Sequence, residues 1–181
     1  MVRVLREIPK LILAPLLIVG LIALALYLLG IVPGYLQSPV GGVEEYDSIE
    51  EAESELGLEI LIPAYFPSYL SWPPAKIQGQ LEPIPMTQVL FLDSDRHTSA
   101  LLIYQIISDR EDLPIDLPWI ETVLQEMPVT INGNDGELIM GRGTDGQLVN
   151  GVHWIEDGVH FVAVTTHPVQ ELLTLARSMH P

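Results

Sequence analysis

The sequence predicts an α+β protein, in which one N-terminal transmembrane helix is followed by a small domain with an antiparallel β-sheet flanked by two helices. Three observations support this fold class. Residues 11–32 carry no charged side chain. Residues 128–166 alternate strand-like runs with short glycine-containing turns. Amphipathic helix patterns lie on both sides of the strand-like region.

The apolar run 11–32 predicts a membrane-spanning helix. At about 1.5 Å per residue it would reach about 33 Å, slightly more than the roughly 30 Å hydrocarbon core of a bilayer. Arg3, Arg6 and Lys10 precede it, whereas residues 33–52 hold no Lys or Arg. This bias places the N-terminus in the cytoplasm and the rest of the chain outside, in a single-pass protein of the cell membrane that contacts the lipid bilayer.

A cleaved secretory signal is the alternative interpretation of the same run, because Ala23-Leu24-Ala25 resembles a cleavage site. The run is longer than the roughly 7–15 apolar residues of a signal core, which favours an uncleaved anchor. A lipoprotein is excluded, since lipid attachment needs a cysteine and the chain has none. Disulfides are excluded for the same reason.

The predicted organisation has four parts: a cytoplasmic tail at 1–10, the transmembrane helix at 11–32, a linker at 33–43 and an extracytoplasmic α+β domain at 44–181. The domain contains 23 acidic and five basic residues, a net charge of −18. Such a charge repels nucleic acid and favours basic partners, although solubility alone also explains it.

Small residues recur at spacings of three and four along one side of the predicted membrane helix. They predict a packing seam, because small side chains let helix backbones approach closely in lipid. The alternative is that they mark no contact, since Gly and Ala are common in membrane helices and Tyr is common at membrane interfaces. The expected partner is a membrane helix of another protein subunit. The seam consists of Gly20, Ala23, Tyr27 and Gly30.

Capping signals predict a short acidic helix at the start of the domain. Ser48 suits the N-cap, Glu51 completes a capping box, and Gly57 suits the left-handed C-terminal position. The glutamates between Glu44 and Glu53 form either a cation site or, as we favour, a solvated helix face. Leu58–Ile62 then predicts a short strand.

A proline-rich stretch with interleaved aromatic residues follows. Six prolines between Pro63 and Pro85 exclude a helix and favour extended geometry, with a strand at Ala75–Leu81. The aromatic residues predict either a protein-docking surface or the edge of a small core, and the sequence leaves both open. They are Tyr65, Phe66, Tyr69 and Trp72.

Val89–Leu92 and Ala100–Ile107 predict a β-hairpin around a polar turn. Asp93, Asp95 and His97 alternate in that turn like metal ligands. Because neither a glycine nor a distal glutamate follows at the EF-hand offset, a solvated turn is favoured.

The segment after the hairpin is less regular. Residues 109–118 read as an acidic loop, and Trp119–Glu126 is ambiguous between a short helix and a strand.

Asp157-Gly158 predicts a two-residue type I′ turn, since both central positions of that turn need positive φ. This register pairs Trp154 with Phe161 on the core face of the sheet. His153 and His160 become diagonal neighbours on the other face. They could share a metal, but without a third ligand ordinary surface histidines are favoured.

Gly141–Gly146 matches the dinucleotide-binding pattern G-x-G-x-x-G literally. The residues after it read as a strand rather than the helix that such a site requires, so a turn is predicted. Pro168–Met179 predicts the closing amphipathic helix. Since no catalytic motif occurs, the sequence predicts neither an enzyme nor a cofactor.

Three motifs resemble a bacterial family of uncharacterised extracytoplasmic domains, found behind a single transmembrane helix and often in membrane regulators of the anti-sigma-factor type. They are E-x-E-L-G-x-x-I-x-I-P at Glu53–Pro63, I-N-G at Ile131–Gly133 and W-x-E-D-G at Trp154–Gly158. The resemblance covers Ser48–Met179 and implies a small α+β domain without catalytic residues. The ten cytoplasmic residues are a departure from family members that carry a helical regulator there.

The sequence therefore predicts a membrane-anchored protein-interaction domain that serves as an accessory subunit of a larger membrane complex. A stand-alone extracytoplasmic sensor or ligand-binding module is the alternative. A metal-dependent hydrolase is a minor alternative.

Overall fold

In the computed structural model, which describes residues 42–110, 113, 115 and 117–179, the chain forms one eight-stranded antiparallel sheet and two short helices. The strands lie side by side in the order β1-β2-β3-β4-β8-β7-β6-β5. The elements are β1 (Glu44–Tyr46), α1 (Ile49–Leu56), β2 (Lys76–Gln80), β3 (Met86–Leu92), β4 (Ser99–Ile107), β5 (Thr122–Ile131), β6 (Asn134–Arg142), β7 (Leu148–Glu156), β8 (Val159–Thr165) and α2 (Val169–Arg177).

The predicted fold class is wrong. The described residues form a fold dominated by the sheet, and its helices have only eight and nine residues. Within the described part of the chain, neither helix is long and apolar enough to cross a membrane. The predicted membrane span, 11–32, lies outside the described residues. The description of the chain as a single-pass membrane protein therefore has no support in the structure.

One row of side chains runs across the whole sheet and forms the centre of the main core. Its members are paired from strand to strand on one face, and α1 and α2 pack into the same apolar cluster. Alternation with a period of two residues places them on a common side. The row is Tyr46, Ile77, Val89, Ile103, Ala163, Val152, Leu138 and Met127.

The opposite face is also covered, which the sequence prediction missed. Val149, Val162 and Val164 are buried there beneath an irregular segment that includes Leu117 and Ile120. This segment belongs to the stretch predicted as an acidic loop and to the ambiguous stretch after it. The middle of the sheet, around β7 and β8, is therefore apolar on both faces.

The predictions of the Asp157-Gly158 turn, the Ser48 N-cap and the Gly57 C-terminal position are confirmed, whereas the capping box forms with a shifted partner. Asp157 and Gly158 have φ angles of 50° and 79°. Ser48 Oγ accepts a hydrogen bond from the backbone N–H of Glu51 at 3.1 Å. The Glu51 carboxylate reaches the N–H of Asp47 at 2.9 Å, one residue before the position expected for a capping box. Gly57 has a φ of 65° at the end of α1, as predicted.

One predicted strand is absent. Leu58–Ile62 has no regular secondary structure, and the backbone N–H of Ile60 donates instead to the Glu53 carboxylate at 2.9 Å. The apolar residues of this segment pack onto the sheet as an irregular layer beside α1. A short apolar run does not distinguish a strand from such a layer.

Candidate functional site

The segment with the predicted docking residues is fixed to the end of β3. Backbone N–H groups of Ser71 and Ala75 donate to the carbonyls of Leu92 and Leu90 at 2.9 and 2.8 Å. The N–H of Ser94 donates to the carbonyl of Tyr69 at 2.7 Å. Residues 69–75 of the proline-rich stretch are thus held by main-chain bonds, although they lie before β2 and belong to no named strand.

Trp72 lies on a small aromatic cluster. Its ring centroid is 5.7 Å from that of Phe66 and 6.3 Å from that of Phe91, which is fully buried. Phe66 also packs on Phe91 at 5.3 Å. Nevertheless, Trp72 is 58% exposed, and the nearby Tyr65 is 42% exposed. The structure therefore presents two large amphipathic rings to solvent, and the Trp72 ring also packs on Phe66 and on the buried Phe91. We call Tyr65, Phe66 and Trp72 the aromatic surface.

Tyr69 does not belong to the aromatic surface. Its ring stacks on the imidazole of His167 with centroids 3.8 Å apart. Its hydroxyl is buried near the Glu171 carboxylate without a well-aligned hydrogen bond. Burial first, and then the charge of Glu171, raise the pKa of this hydroxyl far above its usual value. Of the four predicted docking residues, Tyr69 is thus a packing residue.

His167 also approaches Asp93, which was considered as a metal ligand. His167 Nε2 lies 3.7 Å from Asp93 Oδ2, and Asp93 Oδ1 accepts the backbone N–H groups of Asp95 and Arg96, both at 2.9 Å. These backbone hydrogen bonds are the main reason that the pKa of Asp93 is lowered. The carboxylate thus organises the β3–β4 turn, which begins where Asp93 forms an isolated bridge with Leu70.

The two predicted neighbours His153 and His160 do meet. His153 Nε2 lies 3.2 Å from His160 Nδ1, and the rings are nearly parallel with centroids 5.4 Å apart. The prediction that both are ordinary surface histidines is wrong for His160, which is fully buried. Its Nε2 has no hydrogen-bond partner among the described residues. No group of three or more metal-ligating side chains occurs in the part of the chain that the structure describes.

The burial of His153 predicts that the folded protein loses stability at acidic pH. Burial, followed by the nearby His160, lowers the pKa of His153, so the unfolded chain binds a proton more readily than the folded chain. The resulting stability is present above the ordinary histidine pKa of about 6.5 and is lost as pH falls through the folded value. We expect His153→Gln to flatten the pH dependence of the free energy of unfolding, measured by urea denaturation between about pH 5.5 and 8.

The exposed His97 provides the matched control, because His97→Gln removes an imidazole that lies on the surface. The control should keep the pH dependence of the parent. A His153→Gln profile identical to that of the parent would contradict the prediction.

The structure also contains a cavity that the sequence did not reveal. It has a volume of about 140 Å³ and lies where the irregular segment after α1 covers the ends of β3, β4 and β8. Five of its lining residues are apolar: Leu58, Leu61, Ile107, Val159 and Phe161. Thr87 and Gln105 are buried in its wall, where Thr87 Oγ1 donates to Gln105 Oε1 at 3.2 Å. The lining residues come from four separate stretches, which are brought together by the strand register and by the packing of the irregular segment on the sheet.

The dinucleotide-like glycine pattern forms a turn, as predicted. The N–H of Gly143 donates to the carbonyl of Gln147 at 3.0 Å, and Gly146 has a φ of 79°. The next element is strand β7, so no helix N-terminus is available for a phosphate.

The predicted membrane-helix packing residues Gly20, Ala23, Tyr27 and Gly30 lie outside the described residues. The seam therefore stays a prediction from the sequence.

No protein-family model, curated protein or solved structure matches this chain. The resemblance to extracytoplasmic domains of anti-sigma-type regulators also stays a prediction.

Proposed function

We propose that residues 42–179 form a protein-interaction domain that acts as an accessory subunit of a larger protein complex. The aromatic surface is the docking site. The observation that carries the proposal is Trp72, which is 58% exposed although its ring packs on Phe66 and the fully buried Phe91.

This arrangement has the properties of a binding hot spot. Tryptophan and tyrosine are enriched among residues that dominate interface energies, because each buries a large area at a small cost in conformational entropy. The main-chain bonds to β3 keep the segment in place before a partner arrives. Such preorganisation lowers the entropic cost of binding.

The charge of the chain indicates the chemistry of the partner. Residues 44–181 carry a net charge of −18. A partner with a positively charged rim around an apolar patch would complement this field and associate faster at low salt.

The experiment is copurification of the tagged full-length chain from its native cells, with Trp72→Ala compared to the parent. If Trp72 is a hot spot, the variant should lose about 2 kcal/mol or more of binding free energy, roughly a thirtyfold loss of affinity. The partner recovered with the parent should therefore be depleted.

Leu124→Ala is the matched control, since Leu124 is 54% exposed on the edge strand β5. This strand is five positions away from β3 in the sheet, roughly 24 Å at about 4.8 Å per strand. Equal recovery of every partner by the parent and by both variants would overturn the docking proposal.

A second candidate function is a ligand-binding module, and the cavity beside α1 is the observation that favours it. Ligand sites are concave and mostly apolar with a few fixed polar groups, and the Thr87–Gln105 pair supplies such groups within an apolar wall.

A further inference from the structure

The mouth of the cavity is acidic. Three carboxylates line it, from Glu59, Glu156 and Asp157, and no lining residue is basic. Glu59 and Asp157 are exposed, so they lie at the opening rather than in the wall. The site thus combines an apolar interior with a negatively charged rim.

The rim carboxylates are held by the fold. Glu156 ends β7 and accepts a hydrogen bond from Trp154 Nε1 at 3.4 Å. Asp157 occupies the first central position of the tight turn between β7 and β8. Both groups are therefore attached to the β7–β8 hairpin, which also provides Val159 and Phe161 to the apolar wall.

The size of the interior limits the ligand. An apolar protein cavity of roughly 150 Å³ accommodates benzene. With about 140 Å³, this cavity fits an apolar body of one six-membered ring or a short branched chain. Within the wall, the buried Thr87 and Gln105 side chains offer hydroxyl and amide groups to a polar substituent.

We propose that this cavity binds small organic cations, in which a single ring or branched hydrocarbon body carries an ammonium group. The apolar body enters between Leu61, Val159 and Phe161, and the ammonium group remains at the rim beside Glu156 and Asp157. The proposal rests on the ligand-binding candidate function and names the chemical class of its ligand.

The test compares three probes of similar size: the cation benzylammonium, the neutral benzyl alcohol and the anion phenylacetate. Binding to the full-length chain is measured by calorimetry and by chemical-shift changes. We expect benzylammonium to bind about two- to fivefold more tightly than benzyl alcohol, because exposed charge pairs contribute modestly, and phenylacetate to bind more weakly than either. The preference should shrink as the salt concentration rises.

Two variants assign the effect to the cavity. Glu156→Gln keeps the shape of the side chain but removes its charge, so it should reduce the preference for benzylammonium over benzyl alcohol. Val159→Phe fills the interior and should abolish binding of all three probes. Near-UV circular dichroism checks that both variants keep the packing of the parent.

The outcomes separate the proposal from the function on which it rests. Equal affinity for benzylammonium and benzyl alcohol would overturn the cation preference and leave the ligand-binding function intact. Absence of binding by all three probes at millimolar concentration would overturn both. Binding that survives Val159→Phe in a folded variant would place the ligand elsewhere and overturn the proposal.

Discussion

Replacement of Trp154 by alanine is expected to lower the free energy of unfolding by about 3–5 kcal/mol. Trp154 is only 1% exposed and lies directly across from Phe161 in the β7–β8 pair. Their rings stack with centroids 5.1 Å apart. Removing the indole leaves a cavity in the main core and removes the partner of the Phe161 ring, so transfer and cavity costs add.

Urea denaturation of Trp154→Ala and Trp72→Ala provides an internal comparison between two tryptophans. Trp72 is mostly exposed, so its replacement should cost well under half as much stability. A Trp154→Ala variant as stable as the parent would contradict the assigned sheet face. A larger loss for Trp72→Ala would show that this ring belongs to the core rather than to a docking site.

Replacement of Leu172 by alanine should cost about 2–5 kcal/mol. Leu172 is fully buried on α2, where it packs with Leu175 and Ala176 into the cluster that contains the central sheet row. Since α2 has only nine residues, its own hydrogen bonds cannot sustain it, and packing of its apolar stripe provides most of its stability.

Gln170→Ala on the exposed side of the same helix is the control. It should leave the free energy of unfolding within about 0.5 kcal/mol of that of the parent, because it removes no buried contact. Equal effects of Leu172→Ala and Gln170→Ala in urea denaturation would contradict the packing of α2 on the sheet.

Local features of this fold could be predicted from the sequence because their causes are local. The turn at Asp157-Gly158 needs positive φ at two adjacent positions, and Asp-Gly is a residue pair that adopts such angles readily. The Ser48 cap and the Gly57 end of α1 follow from the same kind of short-range chemistry. The pairing of Trp154 with Phe161 then follows from the turn.

Long-range features could not be predicted. Strand β8 lies between β4 and β7, so Ile103 pairs with Ala163, 60 positions later in the chain. No local pattern specifies such a pairing, and the eight-stranded sheet was therefore missed. The second apolar face does have a signal in the sequence, because apolar residues alternate at Leu113, Ile115 and Leu117 within the segment predicted as an acidic loop, and Ile115 and Leu117 pack on that face.

The candidate sites were predictable only in part. Composition identified the aromatic stretch, but it could not separate Trp72, which is exposed, from Tyr69, which stacks on His167. That division depends on contacts of Trp72 with Phe91 near the end of β3 and of Tyr69 with His167, two residues before α2. The cavity depends on long-range contacts, since Thr87, Gln105 and Phe161 become neighbours through the pairing of three strands and the segment after α1 packs over them.

Photo-crosslinking tests the central claim most directly. Tyr65 or Leu124 is replaced by the photoreactive residue benzoylphenylalanine in the full-length chain, which keeps Trp72, and the cells are irradiated before extraction. Docking through the aromatic surface predicts a crosslink to one partner protein from position 65, where the parent side chain is 42% exposed, and none from position 124. No crosslink from position 65, or the same crosslink from both positions, would contradict the proposed docking site.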